Sequence, residues 1–124
     1  HLIPTRRPSD LNLTDAMTKH AVVGLAEWLS ITYHDKGIRV SLLPPLGVNT
    51  PMLRDAEFAF ASAAAGSIKE PDEVAQQVVD AVGKEQFLIL TDPIAQTWME
   101  RKTNNPERWL QGMRRMQAEI DSMQ

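Results

Sequence analysis

Read along its apolar and polar positions, the chain opens on a helical pattern. Ala21, Val22, Leu25, Leu29 and Thr32 recur at steps of one, three, four and three residues. That spacing gives one apolar helix face. Ala26 and Trp28 widen it. The pattern predicts a helix over residues 14–35, capped by Asn12 or Thr14, with Asp15 well placed for the helix dipole. Gly37 stands where a left-handed C-terminal cap is wanted. Residues 38–43 are a short run with β-branched members and read as a buried strand. Pro44 and Pro45 end it. Residues 46–50 form a loop, and Pro51 can start a short helical turn.

The second half repeats this logic. Residues 56–65 are Ala-rich with Phe58 and Phe60, a helix stopped by Gly66. Pro71-Asp72-Glu73 is a helix start, with Pro at the first position and acids in the first turn. Its expected buried stripe is Val74, Ala75, Val78, Val79 and Val82, and Gly83 is its expected end. Residues 86–91 contain Phe-Leu-Ile-Leu and read as a second buried strand. After Asp92-Pro93 a helix runs to about Thr103. Asn105-Pro106-Glu107 starts a last one, with Trp109, Leu110, Met113, Met116 and Ile120 on one face.

The predicted order is helix, strand, loop, two helices, strand, two helices. A crossover that long implies parallel strands joined with right-handed sense. Parallel sheets normally lie buried between helices. The pattern therefore reads as α/β: the C-terminal remnant of a doubly wound, Rossmann-type fold, mostly helical with about two parallel strands.

Composition narrows the function classes. The chain has 124 residues, 43% hydrophobic and 23% charged, with a net charge of −3 and no cysteine. Those values suit one globular domain and exclude gross disorder. Without Cys there is no disulfide framework and no thiolate nucleophile. The acidic balance argues against a nucleic-acid partner, and Arg108, Arg114 and Arg115 read as a solvated flank. No apolar run approaches the ~20 residues that span a bilayer. No spacing of His, Asp and Glu suits a metal: His20 and His34 lie almost four turns apart along one helix, and His1 belongs to the start of the chain.

Residues 1–11 carry Pro4, Pro8, Arg6 and Arg7 and no hydrophobic period. They lack a signal peptide's apolar stretch, which favours a cytoplasmic location. They read as an extended arm or as a cloning or assembly junction. Residues 12–124 are then the folded domain.

Three blocks carry a resemblance. Thr18-Lys19-His20-Ala21-Val22-Val23-Gly24-Leu25, followed by Gly37-Ile38-Arg39-Val40-Ser41, resembles the short-chain dehydrogenase/reductase family. So does Pro45-Leu46-Gly47-Val48-Asn49-Thr50-Pro51-Met52, which is similar to the family's loop after its sixth strand. Phe87-Leu88-Ile89-Leu90 and Asn105-Pro106-Glu107-Arg108-Trp109-Leu110 resemble the C-terminal end of some members. The resemblance covers residues 14–117 and matches the family's second half. It implies a Rossmann-type sheet, an NAD or NADP cofactor and an alcohol or ketone substrate. It also implies Lys19 as the family's catalytic, ribose-binding lysine, and Val48 and Thr50 as contacts to nicotinamide and pyrophosphate.

The sequence departs from that family at decisive points. The family's catalytic tyrosine stands four residues before its lysine, and here that position is Asp15. A carboxylate shorter by a whole ring cannot place a proton where a phenol would. No Gly-x-x-x-Gly-x-Gly turn occurs, and the family's serine lies upstream of residue 1. The resulting expectation is an oxidoreductase by family that does no nicotinamide chemistry alone, its cofactor-binding residues vestigial. Asp15 and Lys19 also read as a plain surface pair one turn apart. The alternatives are a self-associating interaction or structural protein, or an unrelated activity such as ester hydrolysis on the altered scaffold. No Gly-x-Ser-x-Gly elbow supports the last. Self-association is expected as a dimer, through helix 14–35, strand 38–43 or the C-terminal helix.

Overall fold

A computed structural model of the chain describes residues 8–54 and 56–123. The described chain is mostly helical. It divides into two units, residues 1–42 and residues 43–124.

The first unit is built on α1 (Pro8–Tyr33), 26 residues long. At 1.5 Å per residue it extends about 39 Å. It begins at Pro8, earlier than the Asn12 or Thr14 cap expected. Pro is tolerated in a first helical turn, where its missing N–H has no intrahelical partner to lose. Residues 8–11, read from sequence as part of an extended arm, are thus helical backbone; residues 1–7 of that arm lie outside the described residues. A 3-10 turn (His34–Lys36) follows, closed by Gly37 at φ 83°, as the sequence predicts. The Gly37 N–H donates to the His34 carbonyl and the Ile38 N–H to the Tyr33 carbonyl, satisfying the helix end. The Arg39 guanidinium donates to the same His34 carbonyl at 2.8 Å. Ile38 is half-exposed. The run from 38 to 43 is irregular backbone with one bridge residue, Leu42, instead of the expected buried strand.

The second unit carries a 3-10 turn (Pro51–Arg54), α2 (Ala56–Ala65), α3 (Pro71–Gly83), α4 (Ile94–Asn104) and α5 (Pro106–Ser122). These bounds match the sequence expectations closely. Pro71 and Pro106 sit in the first turns of their helices, and the Asn105 carboxamide oxygen caps α5 by accepting the Arg108 N–H at 3.0 Å. Val74, Ala81, Ile89, Ala95 and Ile120 form the buried core, with Thr91 the most enclosed residue. α5 packs on α4 and on α2.

Two expectations change in this unit. On α3 the buried line runs through Val74 and Ala81, while Val79 and Val82 are exposed. The valine stripe is therefore rotated from the one expected. Gln77 occupies the line between them and donates to the Thr91 carbonyl at 3.0 Å. A polar side chain fills a position that apolar spacing assigns to valine. In the run from 86 to 91 Ile89 and Thr91 are buried and Gln86 is exposed, and in place of the expected strand there is one bridge residue, Leu88. A parallel strand is held by partners on its ladder, and apolar content alone does not supply them. Bridge residues occur singly among the described residues: Val48 pairs in parallel with Lys69, and Leu42 and Leu88 are bridge positions too.

α3 ends on a left-handed residue that the sequence hides. Gln86 N–H donates to the Ala81 carbonyl and Glu85 N–H to the Val82 carbonyl, the paired closure of a Schellman cap. The left-handed position is Glu85, at φ 57°, two residues beyond Gly83.

Candidate functional site

Residues 46–50 form the best-fixed part of the site that the sequence predicts. Gly47 is buried in a tight seat: a Cβ there would come within 2.9 Å of the Ser62 Cβ and 3.1 Å of Ile68. Only glycine fits without displacing α2 or the segment before α3. On either side of Val48, the Lys69 N–H donates to the Gly47 carbonyl at 2.9 Å and the Asn49 N–H donates to the Lys69 carbonyl at 2.8 Å. That pattern turns the N–H and C=O of Val48 away from Lys69, and no partner takes them among the described residues.

Side chains reinforce the bridge. The Asn49 amide donates to both Glu70 oxygens, at 3.0 and 3.3 Å. Glu70 holds the N-cap position of α3 but makes no side-chain cap; its carboxylate is engaged by Asn49. Lys69 pairs with Glu73 at 3.3 Å. One residue earlier, the Leu46 N–H donates to the buried Thr91 hydroxyl at 3.4 Å. Thr50 is exposed and its carbonyl accepts the Leu53 N–H at 3.0 Å, which closes the turn Pro51–Arg54.

A second stitched region lies beside Gly66, whose Cβ would meet Ile94 at 3.0 Å and Leu46 at 3.1 Å. Asp92 accepts the Ile94 N–H at 3.0 Å and the Ser67 hydroxyl at 2.9 Å. Those two donors, the backbone one first, hold its carboxyl below the usual carboxylate range. The Trp98 indole N–H donates to the Ala65 carbonyl at 2.6 Å.

The predicted catalytic position belongs to the first unit. Asp15 and Lys19 are both exposed on α1, one turn apart. No ion pair joins them among the described residues, so the surface pair expected from spacing is not formed. The Thr18 hydroxyl bonds to the carbonyls of Thr14 and Asp15, and His20 Nδ1 lies 2.7 Å from the Ala16 carbonyl. Among the described residues no three His, Asp or Glu side chains gather as a metal site. No helix of the described residues is long and apolar enough to cross a membrane.

The residues that fix the loop were not singled out from sequence. Glu70 reads as an ordinary acid at a helix start, and its partner is 21 residues away. Asn49 before a Thr-Pro turn carries a weak signal, since Asn often bonds near turns.

The residue pattern is shared with known proteins. The chain is 35% identical over 95 residues to 1-deoxy-11-beta-hydroxypentalenate dehydrogenase of Streptomyces avermitilis, covering 77% of this chain and 35% of the relative. It is 39% identical over 64 residues to cyclohexanol dehydrogenase of an Acinetobacter species, covering 48% of this chain and 25% of that relative. The chain thus spans about a third of the length of the first and a quarter of the second. No family profile matches the chain. No solved structure matches it either. Both relatives are short-chain dehydrogenases, and the three motif blocks, the loop at Val48 and these two similarities together make the chain a relative of the short-chain dehydrogenase/reductase family.

Proposed function

We propose that residues 46–50 supply part of an oxidoreductase site, in which an alcohol or ketone exchanges hydride with NAD or NADP on an α/β, Rossmann-type scaffold. The observation that carries this reading is the loop at Val48. Its amide and carbonyl, unpartnered among the described residues, form a pre-set backbone edge, held from behind by Lys69 and Glu70. A donor and an acceptor on one residue suit a carboxamide such as that of nicotinamide. Both relatives are named as dehydrogenases of hydroxylated compounds, which supports the substrate class.

The fit is partial. Thr50, beside Val48, is an exposed polar group that suits a phosphate, and Lys19 is exposed on α1 at the position of the family's ribose-binding lysine. The 124 residues contain no glycine-rich turn to present a helix N-terminus to the pyrophosphate. Asp15 stands where the proton-transfer phenol belongs. The reading is therefore that these residues alone neither hold the cofactor firmly nor turn over an alcohol. NADH and NADPH titrated into the purified chain, followed by nucleotide fluorescence and calorimetry, give no saturable binding in the micromolar range. Saturable micromolar binding of either, lost on Val48→Pro, would overturn it. Asp15→Tyr leaves a panel of alcohols and ketones unconverted, because the phosphate turn is still lacking.

A further inference from the structure

α5 keeps a glycine in its interior, Gly112, where alanine would make the stronger helix. Packing among the described residues does not ask for it. Within 4 Å of the place a Cβ would occupy there lies one atom, Nη2 of Arg115, at 3.8 Å. The Arg115 side chain therefore lies back along α5, beside a bare stretch of backbone. Arg108 stands four residues before Gly112, and Arg115 three after it. At about 100° per residue the three share an arc of about 60°, with Gln111 about 40° beyond its edge. A rise of about 1.5 Å per residue puts Arg108 about 6 Å from Gly112 along the axis, within reach of an arginine side chain.

No hydrogen bond, ion pair or ring contact engages the side chains of Arg108, Gln111 or Arg115 among the described residues. Glu119 stands one turn beyond Arg115, at the spacing of a helical ion pair, yet Arg115 turns toward Gly112 instead. The neighbouring cations are already seated: Arg101 lies over the Trp98 ring and Lys102 over the Trp109 ring, each 4.8 Å from the ring centre. A flank that is only solvated needs no glycine. Two uncommitted guanidinium groups on either side of one make a place for a shared counter-ion.

We infer that Arg108, Gly112 and Arg115 form a binding site for a phosphate monoester. Charge and shape choose that ligand. A phosphate monoester carries about −1.5 to −2 charge near neutral pH and three terminal oxygens. It neutralises both arginines and accepts a forked pair of N–H bonds from each. A carboxylate, with one charge and two oxygens, satisfies one arginine alone. Gly112 leaves the floor between the two forks clear, and the Gln111 carboxamide adds an N–H donor at the side. Arg114 takes no part, since it stands about 100° round the helix from Arg115. The probe below carries no nucleotide, so the inference stands apart from the nicotinamide reading.

Glycerol phosphate titrated into the nitrogen-labelled chain shifts the Nε–Hε signals of Arg108 and Arg115 saturably, with a dissociation constant of about 1 mM or tighter. Arg108→Gln and Arg115→Gln each weaken binding by about tenfold or more. Arg114→Gln, the same loss of charge on another face, weakens it by less than about threefold. Gly112→Ala raises helicity by circular dichroism and still weakens binding, because its methyl group occupies the floor. Co-sedimentation with phosphatidylcholine vesicles containing phosphatidic acid presents the same monoester as a lipid headgroup, with phosphatidylglycerol, a diester, as the control. Saturable binding of glycerol phosphate supports the site with a free phosphorylated compound as its source. Binding to the phosphatidic acid vesicles alone supports it with a headgroup as its source. Binding of neither overturns the inference. So does equal binding to the phosphatidylglycerol vesicles, or equal weakening by Arg114→Gln and Arg115→Gln, since either reduces the site to net charge.

Discussion

Two regions of this chain solve the problem of holding backbone in place by opposite means. α1 is held by its own ladder of hydrogen bonds and by a tidy end at Gly37, while its apolar side chains remain largely exposed. Residues 46–50 have no helix or sheet to belong to. They are held from outside, by one bridge to Lys69, the Glu70 carboxylate, the Thr91 hydroxyl and a seat for Gly47. A regular element carries its own constraints and leaves its surface free for other uses. An irregular one borrows every constraint from its neighbours, so each neighbour becomes essential to it.

The two buried or exposed glycines break this comparison most sharply. Gly47→Ala drives a Cβ to 2.9 Å from Ser62 and costs about 1–3 kcal/mol, the range for overpacking. Thermal unfolding followed by circular dichroism measures it, and an unchanged midpoint would refute the tight seat. Gly24→Ala has the opposite sign. With nothing within 4 Å it stabilises α1 by about 1 kcal/mol, read in dilute solution as higher helicity.

The borrowed constraints come next in size. Glu70→Ala removes the acceptor for Asn49 at the surface, a loss of about 0.5–1.5 kcal/mol. Amide exchange at Asn49 and Lys69 speeds up more than exchange in α5; equal change everywhere would show a global effect instead. Glu85→Gly relieves a left-handed residue in the Schellman cap and gains up to about 1 kcal/mol. A lower melting temperature for that variant would contradict the cap.

The smallest effect is one of pH. Asp92 titrates below its unfolded value of ~3.9, so its contribution is present above that value and fades as pH falls through the lower, folded one. Asp92→Asn flattens the acid limb of the unfolding curve. Ser67→Ala moves the fade toward higher pH, because one of the donors favouring the carboxylate is gone.

Much of the helical framework was legible in the sequence because its signals are local. Pro71, Pro106, Asn105 and Gly37 each act within one turn of where they stand, and each does what its chemistry predicts. The two expected strands did not form. The runs at 38–43 and 86–91 have the apolar content of strands, but a strand is defined by what lies beside it. The α3 stripe misleads for a related reason. Its valines fill two adjoining lines, and only Gln77 reaching Thr91 decides which line turns inward. For the site, Lys19, Val48 and Thr50 come from motif resemblance. The pins at Lys69, Glu70 and Asp92 depend on contacts across about twenty residues or more, which no local pattern encodes.

The bond from the Trp98 indole to the last carbonyl of α2 gives the second unit a built-in gauge. Trp98 also lies under the Arg101 guanidinium, 4.8 Å from the ring centre. Its proton resonance and emission colour therefore depend on whether Ala65 is in contact. Any departure of α2 from its place, whether by heat, denaturant or an arriving ligand, releases that proton to solvent exchange. Labelled indole at this one position would time such a movement directly, with Trp28 and Trp109 serving as internal references.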